Sequence, residues 1–352
     1  MSEQRANPMG VDGFEFVEYA APDGDMLHAL FNKLGFTAVA KHKSKNITLY
    51  RQGGINFLVN EEPNSFAADF AAKHGPCACG FAIRVADEKK AYQKALEKDA
   101  RPIENKPESL AVSAAAIEGI GGSVLYMTDR YGEGKSVYDA DFEPIAGVDQ
   151  HPTGAGLNLI DHLTHNVHKG EMDTWAGYYE RLFNFHEVRY FDIKGKKTGL
   201  FSRAMTAPDG MVRIPINEAQ DDKSQIAEYL REYDGEGIQH IALYTDNIYD
   251  TVESLRDNGI EFQDTLDAYY DIVDQRVPEH GEDLERMKKN RILIDADQET
   301  RKKLLLQIFT KNCIGPIFFE IIQRKGNEGF GEGNFQALFE AIELDQERRG
   351  VI

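Results

Sequence analysis

Cysteine is scarce in this chain, with only Cys77, Cys79 and Cys313 among 352 residues. Three thiols cannot staple a disulfide framework, and a lone C-x-C pair matches no standard zinc spacing, so reduced intracellular thiols are expected. Long apolar runs are also missing. No stretch approaches the length of a membrane span, and the opening MSEQRANPMG has no apolar core of the kind that makes a secretory leader, so a cytoplasmic protein without membrane attachment is expected. Basic residues are outnumbered, 40 Lys and Arg against 59 Asp and Glu, for a formal charge of -19. A phosphate backbone needs clustered positive charge, so this balance argues against a nucleic-acid partner. It does not exclude a small anionic substrate, because one inward-facing metal ion can reverse the local field.

What is present is a folded, repeated chain. Hydrophobic residues make up 41 %, with 20 Phe, enough for two domains of ordinary size, read here as 1–150 and 151–352. The strongest internal signal is a pair of ungapped segments, IGGSVLYMTDRYG (120–132) and IGPIFFEIIQRKG (314–326). They share Ile120/Ile314, Gly121/Gly315, Arg130/Arg324 and Gly132/Gly326, and they set Tyr126 opposite Glu320. The same logic matches CGFAIRVAD (79–87) to QHIALYTDN (239–247), with Phe81 read as the counterpart of His240, and GFEFVEY (13–19) to IDHLTHN (160–166), placing Glu15 opposite His162. The second copy therefore offers two imidazoles and a carboxylate where the first does not.

Periodicity gives both halves one order: a strand, an amphipathic helix, then further strands. In the first half the pattern predicts a strand at 14–20, a helix at 25–36 stopped by Gly35, short strands in 46–53 and 55–60, a strand near 81–85, a helix at 88–98 and a strand around Tyr126. The second half predicts strands at 160–167, 188–193, 199–206, 211–216, 239–245, 304–309 and 316–323, with helices at 172–183 and 248–257. The Gly- and Pro-rich stretch at 145–158 breaks periodicity and separates the halves. A polar insertion at 278–290 has no counterpart in the first half and reads as a surface excursion. Near the end, Phe335, Leu338, Phe339 and Ile342 share one helical face that needs a partner. Together these predict an α+β fold of duplicated modules, two open barrel-like sheets with a metal site in the second.

His162, His240 and Glu320 are the candidate ligands. Strand alternation sends His162 and Thr164 to one face and His165 to the other, so His165 reads as a structural residue or a donor behind the ligands. Glu320 lies in the apolar run IFFEIIQ, where a carboxylate must be paired, protonated or metal-bound, Arg324 being the alternative partner. Two histidines and a carboxylate with open positions fit a non-haem Fe(II) centre, and catalytic zinc remains compatible. Around them Ser202, Asn217, Gln225, Gln239 and Gln307, beside Phe309, Phe318, Phe330, Phe335 and Phe339, suggest a pocket for an aromatic ring with a polar tip. Gly329, Gly331 and Gly333 read as a hinge for a closing helix.

The motifs DHLTHNV (161–167), RIPINE (213–218), GEGIQHIAL (235–243), LLLQIFT (304–310), GPIFFEIIQRKG (315–326) and GFGEGNFQALFE (329–340), in this order along nearly the whole chain, resemble the 4-hydroxyphenylpyruvate dioxygenase family of the vicinal oxygen chelate superfamily. The resemblance implies one Fe(II) per chain on His162, His240 and Glu320, and conversion of 4-hydroxyphenylpyruvate and O₂ to homogentisate and CO₂ in tyrosine and phenylalanine breakdown. It implies that Gln307 and Gln239 orient the substrate, that Phe318 and Phe330 hold its ring, and that Ser202, Asn217, Gln225, Phe309 and Asn334 line or support the pocket, with Phe335 and Phe339 on the closing helix. A homo-oligomer is expected. The alternatives are the similar 4-hydroxymandelate synthase chemistry on the same substrate, and a metal-free binding protein, which the intact ligand set argues against.

Overall fold

Both halves of the chain fold by the same route in the computed structural model, which describes residues 5–103, 109–195 and 197–350. The first four residues of the opening stretch lie outside these. In the first half β1 (Phe14–Ala20) leads into α1 (Asp25–Lys33), then an antiparallel meander of β2 (Thr37–His42), β3 (Ile47–Gln52) and β4 (Ile55–Asn60). A crossover through α2 (Phe66–His74) reaches β5 (Cys77–Arg84), followed by α3 (Glu88–Glu97), β6 (Ala115–Glu118), β7 (Val124–Thr128) and β8 (Phe142–Pro144).

The second half repeats the sequence of events with β9 (Leu157–Val167), α4 (Met172–Phe183), β10 (His186–Lys194), β11 (Gly199–Thr206), β12 (Arg213–Ala219), α5 (Gln225–Glu232), β13 (Gly237–Thr245) and α6 (Ile248–Asp257). Then come α7 (Asp267–Tyr270), α8 (Val273–Arg276), α9 (Leu284–Asn290), β14 (Leu293–Ala296), β15 (Leu304–Phe309), β16 (Phe318–Lys325) and α10 (Glu332–Arg349). The helix starts are written locally. Ser65 and Ser224 accept from Ala68 N and Ala227 N to cap α2 and α5, while Asp87 and Asn247 cap α3 and α6 in the same way.

Two eight-stranded sheets result, ordered β6-β7-β5-β1-β4-β3-β2-β8 and, read in the same direction, β14-β15-β16-β13-β9-β12-β11-β10. Seven strands correspond one to one, which is the duplicated α+β architecture expected from the sequence. In both copies the first strand lies parallel to the fourth and antiparallel to the fifth. One apolar core includes residues of both halves, and Phe57 meets Phe319 with ring centroids 6.0 Å apart.

Register corrects two of the residue matches. Gly80 pairs with Val124 and Ala82 with Tyr126, as His240 pairs with Phe318 and Ala242 with Glu320. Gly80, not Phe81, therefore occupies the place of His240. Phe16 faces Ala82 as His162 faces Ala242, so Phe16, not Glu15, stands for His162. In strands whose side chains alternate, a slip of one residue exchanges the two faces; for His240 a residue-by-residue count of the two segments already gives Gly80, while for His162 the register shifts in the β1–β5 and β9–β13 pairs hide the slip from a sequence match.

Helices α2, α5, α7, α8 and α9 and the short strands β2, β6, β8 and β14 are not among the expected elements. All are brief, the longest of these helices, α2, having 9 residues. The insertion at 278–290 is no simple surface excursion, because α9 buries Met287 and Asn290. No helix among the described residues is long and apolar enough to cross a membrane. The three cysteines are unpaired, and burial pushes the Cys313 thiol up to about 12.

Where the second half gathers ligands, the first has built a core. Phe16 and Tyr126 meet at 5.2 Å and are packed round by Leu49, Leu58, Tyr138 and Phe142. Glu18 is buried there, its carboxyl pushed up by burial, and it accepts from Tyr126 Oη at 2.8 Å and Asn60 Nδ2 at 2.7 Å. Tyr126→Phe removes a donor from a buried carboxyl, so denaturant melting should show a loss of about 1–3 kcal/mol. Its metal content should match that of the parent.

Candidate metal centre

The second sheet sets β13 between β9 and β16, so one inward position of each of three neighbouring strands meets at a point. His162 comes from β9, His240 from β13 and Glu320 from β16, all buried. His162 Nε2 lies 3.3 Å from His240 Nε2 and 3.3 Å from Glu320 Oε2, and the third edge is 3.4 Å. A near-equilateral triangle of this size suits three ligand atoms each about 2.0–2.2 Å from a common cation. Among the described residues this is the one His/Cys/Asp/Glu group whose ligand atoms converge in this way.

Each ligand is aimed by a hydrogen bond to its far side. His162 Nδ1 donates to Asp161 Oδ1 at 2.8 Å, and His240 Nδ1 donates to Gln239 Oε1 at 3.0 Å. In both cases the acceptor is the preceding residue, which fixes the tautomer and turns Nε2 inward. For Gln239 the cause is a register irregularity between Ile238 and His240, which brings the two neighbours to the same side. Glu320 Oε1 accepts from Gln307 Nε2 at 2.7 Å, leaving Oε2 for the centre. Gln307 is held in turn by Asn334 of α10, whose Nδ2 donates to its Oε1 at 2.8 Å.

Electrostatics favour a positive charge at this point. Burial would raise the Glu320 carboxyl, yet the two histidines hold it down at about 2, so it is ionised. Burial opposes a charge on His162, but Glu320 and Asp161 still raise it, while burial lowers His240. The neighbouring carboxylates thus favour positive charge at the triad. A metal ion and protons compete for the same imidazole nitrogens, so metal affinity should weaken as pH falls.

The cavity beside the triad holds about 40 Å³, room for a few water-sized molecules. Of the expected pocket residues, Ser202, Asn217, Gln307, Phe309, Phe330 and Phe335 line it with the three ligands. The other five sit behind the wall. Gln239 and Asn334 face His240 and Gln307 as described. Phe318 stacks on the back of the His240 ring at 4.9 Å. Gln225, expected on or beside a strand, is the first residue of α5 and lines an adjoining cleft with Gln239 and Phe318. Phe339 is sealed against Phe191, Ile193 and Leu200. Thr164, Phe191, Pro215 and Leu338 line the cavity but were not proposed. The signal for Thr164 was available, since it lies two residues from His162 on one face, and its Oγ1 is 2.9 Å from His240 Nε2.

His165 points the other way, with Nε2 2.7 Å from Tyr179 Oη, and burial holds it down at about 3, so it is neutral. Alanine at His162, His240 or Glu320 should abolish stoichiometric Fe(II) binding in anaerobic calorimetry while circular dichroism stays parental. His165→Ala should instead bind Fe(II) and melt earlier. Equal metal loss in His165→Ala would show that the wrong histidine of the pair had been chosen.

A family model described as hydroxyphenylpyruvate dioxygenase, HPPD, N-terminal matches residues 5–143, and the glyoxalase/bleomycin resistance protein/dioxygenase superfamily model matches 159–271. The chain is 59 % identical to hemolysin VllY of Vibrio vulnificus over 98 % of each protein. It is 56 % identical to 4-hydroxyphenylpyruvate dioxygenase of Pseudomonas aeruginosa, over 99 % of this chain and 98 % of that one. Among solved structures, a xylose isomerase-like TIM barrel/4-hydroxyphenylpyruvate dioxygenase fusion protein matches with a TM-score of 0.82 and 31 % identity over 96 % of this chain, which spans about half (54 %) of the fusion. With the duplicated sheets, the converging ligand set and end-to-end identity of this order, the chain belongs to the 4-hydroxyphenylpyruvate dioxygenase family.

Proposed function

We infer that this protein is a 4-hydroxyphenylpyruvate dioxygenase, converting 4-hydroxyphenylpyruvate and O₂ to homogentisate and CO₂ with one Fe(II) per chain. The observation that carries the reading is the buried His162, His240 and Glu320 triangle in a chain 56 % identical to such an enzyme along its length. Two neutral imidazoles and one carboxylate on a single face suit Fe(II) with open positions better than structural zinc, which takes a fourth protein ligand. Fe(II) bound there would supply O₂ activation. The substrate carries its own 2-oxo acid, so no separate 2-oxo acid is required.

The chain's own residues do the rest. Gln307 keeps Glu320 Oε1 occupied, which limits this carboxylate to one ligand atom and leaves room for substrate oxygens. Ser202 and Asn217 present a hydroxyl and an amide to the cavity, suited to a polar ring substituent. Phe309, Phe330, Phe335 and Leu338 make the remaining wall and exclude water. Phe330, Phe335 and Leu338, from the turn before α10 and from α10 itself, close one side of the cavity, so movement of this wall would admit the substrate and its return would enclose it.

Product analysis by mass spectrometry after supplying 4-hydroxyphenylpyruvate, Fe(II), ascorbate and O₂ tests the reading. Homogentisate is expected, whereas 4-hydroxymandelate would assign the chain to the benzylic hydroxylation and no turnover would favour a binding protein. Phe330→Ala opens the wall next to the His162 ring, whose centroid is 5.7 Å away. It should keep its metal but consume more O₂ than it forms homogentisate, measured with an oxygen electrode and chromatography. A parental ratio would show that Phe330 does not guard the site.

A further inference from the structure

Arg324 belongs to a motif shared by both halves, yet the two copies use it differently. In the first half the matching Arg130 is solvent-accessible and reaches the Ser113 carbonyl, with Glu88 3.9 Å away, while Glu15 on β1 is taken by Arg84 at 2.7 Å. In the second half Arg324 is buried, its side chain 6 % exposed. Its Nε and Nη2 donate to Asp161 Oδ2 and Oδ1 at 2.7 and 2.8 Å, a two-pronged grip on the carboxylate that holds His162 Nδ1.

The third arm of the same guanidinium points away from the metal ligands. Nη1 donates to the carbonyls of Asn327 at 3.0 Å and Gly329 at 2.6 Å, in the turn that carries Phe330 and enters α10. Arg213 spans the same gap, with Nη1 3.3 Å from Asp161 Oδ2 and Nη2 2.7 Å from Glu328 Oε2. Gly331, the residue before α10, is held in the left-handed region at φ 66°, and a β-carbon there would collide with the Gln307 amide. The turn is thus fixed to the sheet by side-chain bonds from both arginines.

We propose that Arg324 is a positioning residue that couples the Asn327–Gly331 turn to the metal ligand His162 through Asp161. When the turn is seated, Arg324 is held from both sides and presents its fork squarely to Asp161, which fixes the His162 ring. When the turn lifts, Arg324 loses two carbonyl acceptors and the grip on Asp161 loosens. By linkage, metal binding must favour the seated turn by the same factor that the seated turn favours metal binding. The proposal rests on the metal reading above but not on the dioxygenase reaction.

The test is hydrogen exchange on the full chain, with and without Fe(II) under anaerobic conditions, together with Fe(II) affinity by calorimetry. In the parent, Fe(II) should slow exchange at Gly329–Gly331. Arg324→Lys keeps the charge but loses the fork. It should weaken Fe(II) binding by about tenfold to hundredfold and abolish the metal-dependent slowing. Asp161→Asn breaks the link from its other end and should do the same, which keeps the proposal testable if Arg324→Lys does not fold. Arg286→Gln, which removes a remote pairing with Asp250 and Glu253, should change neither readout. Metal-dependent slowing that survives in Arg324→Lys or Asp161→Asn overturns the coupling while leaving the metal reading intact. Failure of the parent to bind Fe(II) overturns both.

Discussion

Burying His162, His240 and Glu320 within 3.4 Å of one another is the constraint around which the second half is organised. Burial leaves little water to solvate a carboxylate and two imidazoles, and the ordinary remedy of a nearby arginine is absent from the triad, since Arg324 turns to Asp161 instead. What remains is internal satisfaction of the far-side atoms and a cation for the near side. Asp161, Gln239 and Gln307 provide the first. Their own partners, Arg324, Asn217 and Asn334, extend the network to β12 and α10. A metal site in this fold is therefore a property of six elements and not of three residues.

The duplicated half shows what happens when the constraint is released. The sheet order and strand directions persist, but Phe16, Gly80 and Tyr126 stand where the ligands would be, and the interior fills with Leu49, Leu58, Tyr138 and Phe142. Apolar packing stabilises that sheet. The same scaffold thus supports either a dry core or a centre, and the choice is made by the residues at three inward positions.

Much of this was legible because alternation in a strand is strict. His162, Thr164 and His165 could be sorted onto two faces from spacing alone, and the repeated Ile-Gly, Arg and Gly of 120–132 and 314–326 located Glu320 on the equivalent of β7. Alternation is also why the reading erred. The partner of His240 is Gly80, as a residue-by-residue count of the two segments already gives, whereas register shifts, invisible in composition, moved the partner of His162 from Glu15 to Phe16. The substrate wall was less accessible still. Gln225 lies at the start of a short helix whose pattern spans eight residues, and Phe318 and Phe339 were placed by hydrophobicity, which does not say which cavity a ring will fill. Phe191 and Pro215 enter the wall through tertiary packing with no local signal at all.

The central claim, that these three side chains form an open Fe(II) centre, is tested most directly by iron K-edge X-ray absorption of the anaerobic, Fe(II)-loaded protein. The account predicts five or six light-atom neighbours at about 2.0–2.2 Å, with outer-shell scattering from two imidazoles and none from sulfur. That scattering should disappear with His162→Ala and His240→Ala together. A closed four-coordinate shell, a sulfur neighbour, or a shell without imidazole scattering in the parent would contradict it.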